Sequence, residues 1–218
     1  VVGGTGLYLD ALVAGRSFAG GSTGGKVRQR LQQRLADEGI AALHAELSRI
    51  DPTAAQRLHL RDEKRILRAL EIYYETGQTI TEHDAQTRAL PPRYRAVYIG
   101  LTFEDRADLR ALIDRRVDAM LEQGLVEEVR ALLASGVPPE STALQAIGYK
   151  ELRSALVGER SVEEAAAEIK LRSRQYAKRQ LTWLRRNPDI HWIIWKKERD
   201  FPRAIRISTE ILAAEGLG

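Results

Sequence analysis

A short glycine-rich turn near the start of the chain carries the first side chain that could take part in chemistry. The stretch Val1-Val2-Gly3-Gly4-Thr5-Gly6 is an apolar pair followed by small residues, and a helical pattern comes after it. A strand, a turn and a helix in this order would place backbone N–H groups and the Thr5 hydroxyl at a helix N-terminus, where hydrogen bonds and the helix dipole favour a phosphate group. Most turns of this kind are purely structural, so these residues alone leave both interpretations open.

An arginine on an apolar helix face is a second candidate. From position 102 to 121 the spacing predicts an amphipathic helix. Its apolar stripe consists of Leu109, Leu112, Ile113, Val117 and Met120. At about 100° per residue Arg116 falls inside this stripe, whereas Arg115 points away from it. An inward arginine needs an anionic partner, which can be a substrate phosphate or, more commonly, a structural carboxylate.

The longest predicted helix, from 161 to about 186, has one basic side. Arg174, Lys178 and Arg185 lie within about 40° of one another around this helix, and its apolar residues lie on the opposite side. No acidic residue occurs in the segment 172–186. The arrangement favours binding of phosphate groups, from a small diphosphate or from a nucleic-acid backbone, over an ordinary solvated face of mixed charge.

A second basic face lies on the helix predicted from 62 to 74. Lys64, Arg65 and Arg68 come within about one turn of each other, opposite apolar residues such as Ile66. By itself this pattern is typical of many surface helices.

The stretch F-A-G-G-S-T-G-G-K-V at 18–27 nearly spells a nucleotide-phosphate loop. Such a loop follows a strand, precedes a helix and has Ser or Thr after its lysine. Here Val27 follows Lys26, and the preceding residues have a helical pattern. We therefore expect a flexible connector at this place, without a bound phosphate.

Composition limits the class of protein. The 218 residues carry a formal net charge of +4 and no cysteine, which excludes disulfides and thiolate metal sites and is typical of a cytoplasmic protein. No apolar run approaches the ~18 residues of a membrane span. The histidines have no ligand spacing, so we expect no metal ion held by the protein itself. From Lys170 to Arg203 eleven basic residues face three acidic ones, which indicates polyanions as partners.

The order of elements predicts an α/β protein that is mostly helical. Val1-Val2 has the pattern of the end of a buried strand, and further strands are predicted at 96–101 and 191–195. The remaining patterned segments have helical periodicity.

Five stretches, taken together and in order, resemble the tRNA dimethylallyltransferases, enzymes that prenylate N6 of the adenosine next to the anticodon. They are V-V-G-G-T-G-L-Y-L at 1–9, K-R-I-L-R-A-L-E at 64–71, R-V-D-A-M-L-E-Q-G-L-V-E-E-V at 116–129, Q-A-I-G-Y-K-E-L at 145–152 and R-Q-Y-A-K-R-Q-L-T-W at 174–183. The resemblance implies a partial P-loop NTPase-like core formed by 1–16 and 90–218. It also implies a helical insertion domain, 17–89, that contacts tRNA.

The resemblance also implies roles for particular residues. Thr5 and Arg116 correspond to catalytic residues beside the reacting adenine and the diphosphate of the donor, dimethylallyl diphosphate. Further diphosphate contacts are implied for Gly3, Gly4, Arg174 and Lys178. Contacts to the tRNA anticodon loop are implied for Arg28, Lys64, Arg65, Arg68 and Gln145. Magnesium would be bound to the diphosphate, and a monomer is expected.

The chain departs from the family pattern in one respect. The family's phosphate loop of the form Gly-x-Thr-x-x-Gly-Lys-Thr and its Asp-Ser pair, whose aspartate is the general base, do not occur in these 218 residues. We therefore expect the chain by itself to be incomplete for catalysis. Two alternatives stay open: a phosphotransferase similar to the P-loop nucleotide kinases, and a basic module that only binds RNA.

Overall fold

A computed structural model describes residues 1–16, 25–138 and 140–217. The helices and strands are α1 (Gly6–Ala14), α2 (Lys26–Ile50), α3 (Pro52–Arg57), α4 (Glu63–Thr76), α5 (Ile80–Ala89), β1 (Tyr98–Phe103), α6 (Arg106–Glu122), α7 (Leu125–Ala134), a 3₁₀ turn (Ala143–Gln145), α8 (Tyr149–Leu156), α9 (Val162–Leu184), β2 (Ile190–Trp195) and α10 (Phe201–Ala214). Their contacts divide the chain into two compact units, Val1–Gly6 with Val97–Gly218 and Leu7–Ala96. The predicted division at 17 and 89 stays a prediction.

The unit Leu7–Ala96 is helical and has a core of leucine, isoleucine and alanine side chains. Leu31, Leu43 and Leu47 of α2 pack against Ile66 and Leu70 of α4, and all five are buried. Burial of side chains of this size contributes about 1.5–3 kcal/mol each, which makes the α2–α4 contact the main source of stability in this unit.

Two backbone devices shape the same unit. Gly39 has a φ of 78° inside α2, so the helix bends there at a residue without a Cβ. The buried Asp51 carboxylate caps α3 by accepting from the Ala54 N–H at 2.9 Å, and it also accepts from the Thr81 N–H and hydroxyl at 3.1 and 2.7 Å. One side chain therefore fixes both α3 and the start of α5.

The unit Val1–Gly6 with Val97–Gly218 contains a two-stranded parallel sheet. Strands β1 and β2 pair from Tyr98 opposite Ile190 to Phe103 opposite Trp195. A helical layer, α6 to α9, lies in the same unit. Its core consists of Val117, Leu125, Val129, Leu152, Ala165 and Ile169.

The α/β, mostly helical class is confirmed, as are the long helix and the strand near the end of the chain. The strand expected at Val1-Val2 is wrong, because within the described residues nothing pairs with it and both side chains are fully exposed. Helix α10 was not predicted. The glycine-rich stretch at 18–27 lies largely outside the described residues; its last two residues, Lys26 and Val27, begin α2. Within the described ranges, no helix is long and apolar enough to cross a membrane.

Candidate functional site

The glycine-rich turn before α1 lies directly against α9. A Cβ on Gly6 would come within 1.9 Å of Trp183 Cδ1, and a Cβ on Gly4 within 2.1 Å of Gln180 Nε2. At Gly6 the backbone fits against the rigid Trp183 ring only because no side chain is present, whereas at Gly4 the close atoms belong to the flexible end of Gln180. Thr5, between them, is exposed, so its hydroxyl is accessible from solvent.

A stacked arginine lies beside this turn. The Arg186 guanidinium carbon is 5.4 Å from the centre of the Trp183 ring, the same ring that Gly6 contacts. An arginine over an aromatic face keeps its N–H groups available for an anion. Arg186 stands at the end of the basic helix, and nothing in the sequence gives it a role, because only the packing of Gly6 against Trp183 connects it to the turn.

Arg174 and Lys178 project from another side of α9. Around an ideal helix they are about 120–180° from Gln180 and Trp183, the residues that the turn contacts. The predicted diphosphate pair therefore lies on a different side of α9 from the residues that contact the turn.

Arg174 is held by a carboxylate from a neighbouring helix. Its Nη1 donates to both oxygens of Asp114 on α6, at 2.8 and 2.7 Å, and both side chains are about one-third exposed. Lys170 pairs with Asp118, also on α6, at 2.5 Å. The acids that face this side of α9 come from α6, so the sequence of α9 alone cannot show them, and the predicted diphosphate contact of Arg174 stays a prediction. Lys178 is exposed.

Arg116 does not lie on a buried face as predicted. Arg115 and Arg116 are both exposed, whereas their neighbour Val117 is buried. The physical reason is that α9 covers the side of α6 that carries Val117, Asp114 and Asp118, which leaves the rest of the apolar stripe only partly covered. An exposed Arg116 is accessible to an anion.

Three of the predicted tRNA contacts surround one pocket. Lys64, Arg65 and Arg68 of α4 line a pocket of about 590 Å³ together with Arg57 of α3, and Leu58 and Ile80 give it an apolar wall. Arg57 has no signal in the sequence, because α3 is too short to show a basic face and only its packing brings this residue to the pocket. Four cations beside an apolar wall suit a ligand with phosphates and flat bases.

The fourth predicted contact in this unit, Arg28, reaches the same helix from α2. Arg28 Nη1 is 3.8 Å from Glu71 Oε2, the oxygen that also accepts from Arg68 Nη1 at 2.8 Å. Gln145, the last of the predicted contacts, ends the 3₁₀ turn in the other unit and is exposed. The turn is anchored by buried Leu144.

Comparison with known proteins gives a consistent result. Residues 1–187 match the family described as IPP transferase. A tRNA dimethylallyltransferase of Acetivibrio thermocellus is 42% identical over 193 residues, 88% of this chain and 61% of the relative. One of Carboxydothermus hydrogenoformans is 45% identical over 198 residues, 91% of this chain and 63% of the relative. The chain therefore spans about three-fifths of the length of these relatives.

Solved structures agree with this. The crystal structure of a tRNA isopentenylpyrophosphate transferase from Bacillus halodurans has a TM-score of 0.60 and 35% identity, covering 96% of this chain and 64% of that one. A eukaryotic dimethylallyltransferase acting on tRNA has a TM-score of 0.72 and 26% identity, covering 98% and 56%. The family match and these likenesses both extend over most of the described residues. The chain belongs to the IPP transferase family.

Proposed function

We propose that this chain is part of an enzyme that transfers a dimethylallyl group from dimethylallyl diphosphate to N6 of the adenosine 3′ to the anticodon, at position 37 of tRNA. The observation that carries the proposal is the match of residues 1–187 to the IPP transferase family, together with relatives named tRNA dimethylallyltransferase. These relatives and structures support neither the nucleotide-kinase alternative nor a module that only binds RNA.

The chemistry accounts for the residues at the turn. As the bond from the allyl carbon to the diphosphate oxygen breaks, positive charge develops on the carbon and negative charge on the leaving group. The N6 amine then forms the new C–N bond and loses a proton, for which we assign no acceptor in this chain. Stabilising the negative charge on the departing diphosphate is the main electrostatic contribution to catalysis. We assign it to Arg116, the Thr5 hydroxyl and the N–H groups of Gly3 and Gly4, with Lys178 as a more distant cation.

The pocket of the Leu7–Ala96 unit accounts for the RNA. N6 of a stacked base is inaccessible, so the anticodon loop has to be opened and held by contacts to phosphates and splayed bases. We assign these contacts to Arg57, Lys64, Arg65 and Arg68, with further contacts from Arg28 and Gln145.

The proposal also covers the metal ion, the cellular location and the oligomeric state. Within the described residues no group of three or more His, Cys, Asp or Glu side chains is arranged to hold a metal ion. Magnesium enters only as the counter-ion of the donor's diphosphate, and no step above uses it. We place the enzyme in the cytoplasm, as a monomer.

The test is transfer of label from dimethylallyl diphosphate to tRNA. The part of the relatives' length that this chain does not span is supplied in a chimera by the corresponding segment of the Acetivibrio thermocellus enzyme. We expect N6-dimethylallyladenosine at position 37. Arg116→Ala should raise the KM for the donor about tenfold or more, and Arg115→Ala is the matched control that should leave it unchanged. ATP-dependent phosphorylation of a nucleoside without prenyl transfer would refute the proposal.

A further inference from the structure

A carboxylate is buried in the middle of α4. Glu71 is only 1% exposed and has buried apolar neighbours on both sides, Leu70 and Ile72. Its Oε2 accepts from Arg68 at 2.8 Å and lies 3.8 Å from Arg28 Nη1. Its Oε1 is buried and has no hydrogen-bond partner within the described part of the chain.

This arrangement is expensive for stability alone. Removing a carboxylate from water costs several kcal/mol, and a buried ion pair seldom stabilises a fold more than apolar side chains of the same volume would. One carboxylate oxygen without a partner raises that cost further. The packing of α2 against α4 is already made by leucine and isoleucine side chains. A role in the orientation of the two arginines explains Glu71 better than a role in packing.

Both arginines have their guanidinium groups brought together by this one oxygen. Arg28 Nη1 and Arg68 Nη1 lie 3.8 and 2.8 Å from the same oxygen, Glu71 Oε2. The two guanidinium groups are therefore close to each other. Arg68 is also part of the pocket wall, together with Lys64 and Arg65. The two side chains are partly exposed, 21% for Arg28 and 31% for Arg68, so a ligand in solvent can reach both.

We propose that Glu71 is a positioning residue for RNA: it holds Arg28 of α2 and Arg68 of α4 in the orientation in which they bind phosphates of the anticodon loop. This inference rests on the proposed function. It adds a residue that touches no RNA itself, because its oxygens are buried. It also explains how a cation from α2 becomes part of a surface built on α4.

Charge and positioning predict opposite results for Glu71→Gln. The substitution removes a negative charge beside two cations, so electrostatics alone would tighten binding of a polyanion. If Glu71 positions the arginines, binding weakens, because a neutral amide oxygen holds two guanidinium groups much more weakly than a carboxylate oxygen does. Glu63→Gln is the matched control, since Glu63 is exposed in the first turn of the same helix.

The experiment measures binding of a fluorescent anticodon stem-loop RNA to the 218-residue chain by anisotropy, over a series of salt concentrations. We expect Glu71→Gln to raise the Kd roughly tenfold and to lower the slope of log K against log salt by about one contact or more. Glu63→Gln should leave the Kd unchanged or slightly lower. Equal or tighter binding by Glu71→Gln would overturn the inference. Absence of RNA binding by the unchanged chain would overturn the RNA surface assigned to this unit, whereas the proposed function is tested separately by prenyl transfer in the chimera.

A double-mutant cycle separates positioning from general folding. In an Arg28→Ala/Arg68→Ala background, Glu71→Gln should have no further effect on the Kd, and it should raise the melting temperature because it removes a buried charge that has lost its partners. Glu71→Met fills a similar volume and gives a second version of the test if Glu71→Gln folds poorly. In the chimera, the KM for tRNA should rise while the KM for the donor stays constant. Additive losses in the cycle, or equal increases in both KM values, would show that Glu71 is only structural and overturn the proposal.

Discussion

Adding one methyl group at each glycine of the turn tests whether α9 holds Thr5 in place. A Cβ on Gly6 would lie 1.9 Å from Trp183 Cδ1, one on Gly4 would lie 2.1 Å from Gln180 Nε2, and one on Gly3 would meet nothing within 4 Å. Carbon atoms in ordinary contact are about 3.5–4.0 Å apart. The Trp183 ring would therefore have to move by about 1.5–2 Å in Gly6→Ala.

The size of the loss in folding stability depends on which atoms have to move to make room for the new methyl group. Overpacking of this kind costs about 1–3 kcal/mol, and alanine at a helical position returns at most about 1 kcal/mol. We expect a net loss of about 1–2 kcal/mol for Gly6→Ala, because the indole is rigid and also carries the stacked Arg186. In Gly4→Ala the clash is with the end of a flexible side chain, Gln180, which can turn aside at a cost below about 1 kcal/mol. Gly3→Ala should be neutral.

Thermal melts of the three variants, followed by far-ultraviolet circular dichroism, check this order. For a chain of this size the loss in Gly6→Ala corresponds to a decrease in Tm of about 3–6 °C. The Tm of Gly4→Ala should fall by less, and the Tm of Gly3→Ala should stay within about 1 °C of that of the unchanged chain. If Gly6→Ala melts at or above the temperature of the unchanged chain, or if Gly3→Ala loses as much as Gly6→Ala, the turn is not held against α9 and Thr5 has no fixed position.

Three further perturbations test other contacts. A double-mutant cycle of Arg174→Ala and Asp114→Ala should give a coupling of about 1 kcal/mol in the free energy of unfolding, since the pair is one-third exposed; additive losses would contradict a structural ion pair. Arg57→Ala should weaken stem-loop RNA binding about tenfold and lower the salt slope; an unchanged Kd would exclude Arg57 from the RNA surface. Hydrogen bonds from the Thr79 N–H and hydroxyl lower the pKa of Glu82, so its stabilisation is present above the unfolded pKa of about 4.3 and is lost as the pH falls through the lower folded pKa. The difference in Tm between the unchanged chain and Glu82→Gln should therefore shrink on acidification to about pH 3; a constant difference would contradict the carboxylate's role.

Local patterns were sufficient for most of the helices. Ser161 and Glu164 form the capping box that their spacing predicts, and so do Thr79 and Glu82. The starts of these helices depend on short-range hydrogen bonds, which residue types and their spacing in the sequence are enough to predict. Helix α10 was not predicted, although Asp200 caps it by accepting from the Arg203 N–H and the helix is as long as the predicted α4.

The candidate site was less accessible to sequence reasoning, because it depends on contacts between elements. Helical periodicity gives Arg116 an angle within the apolar stripe, but it cannot say which part of the stripe another helix covers, and Arg116 is exposed. The structure shows that α9 covers the side with Val117 and Asp114. The family resemblance supplied Lys64 and Arg68, whereas Glu71, which joins Arg68 to Arg28, has no signal in the sequence beyond being an acid between apolar residues.

Ion pairing decides which cations of α9 are available to an anion. In its first half the basic side chains are matched by acids: Lys170 by Asp118, and Arg174 by Asp114. Towards its end the pairing changes from carboxylates to aromatic rings, and Arg186 lies over the Trp183 ring. A ring does not neutralise a guanidinium group, so positive charge persists there. Because Gly6 and Gly4 contact Trp183 and Gln180, the part of α9 that meets the Thr5 turn is its end, where Arg186 shares the Trp183 ring, and not the ion-paired middle.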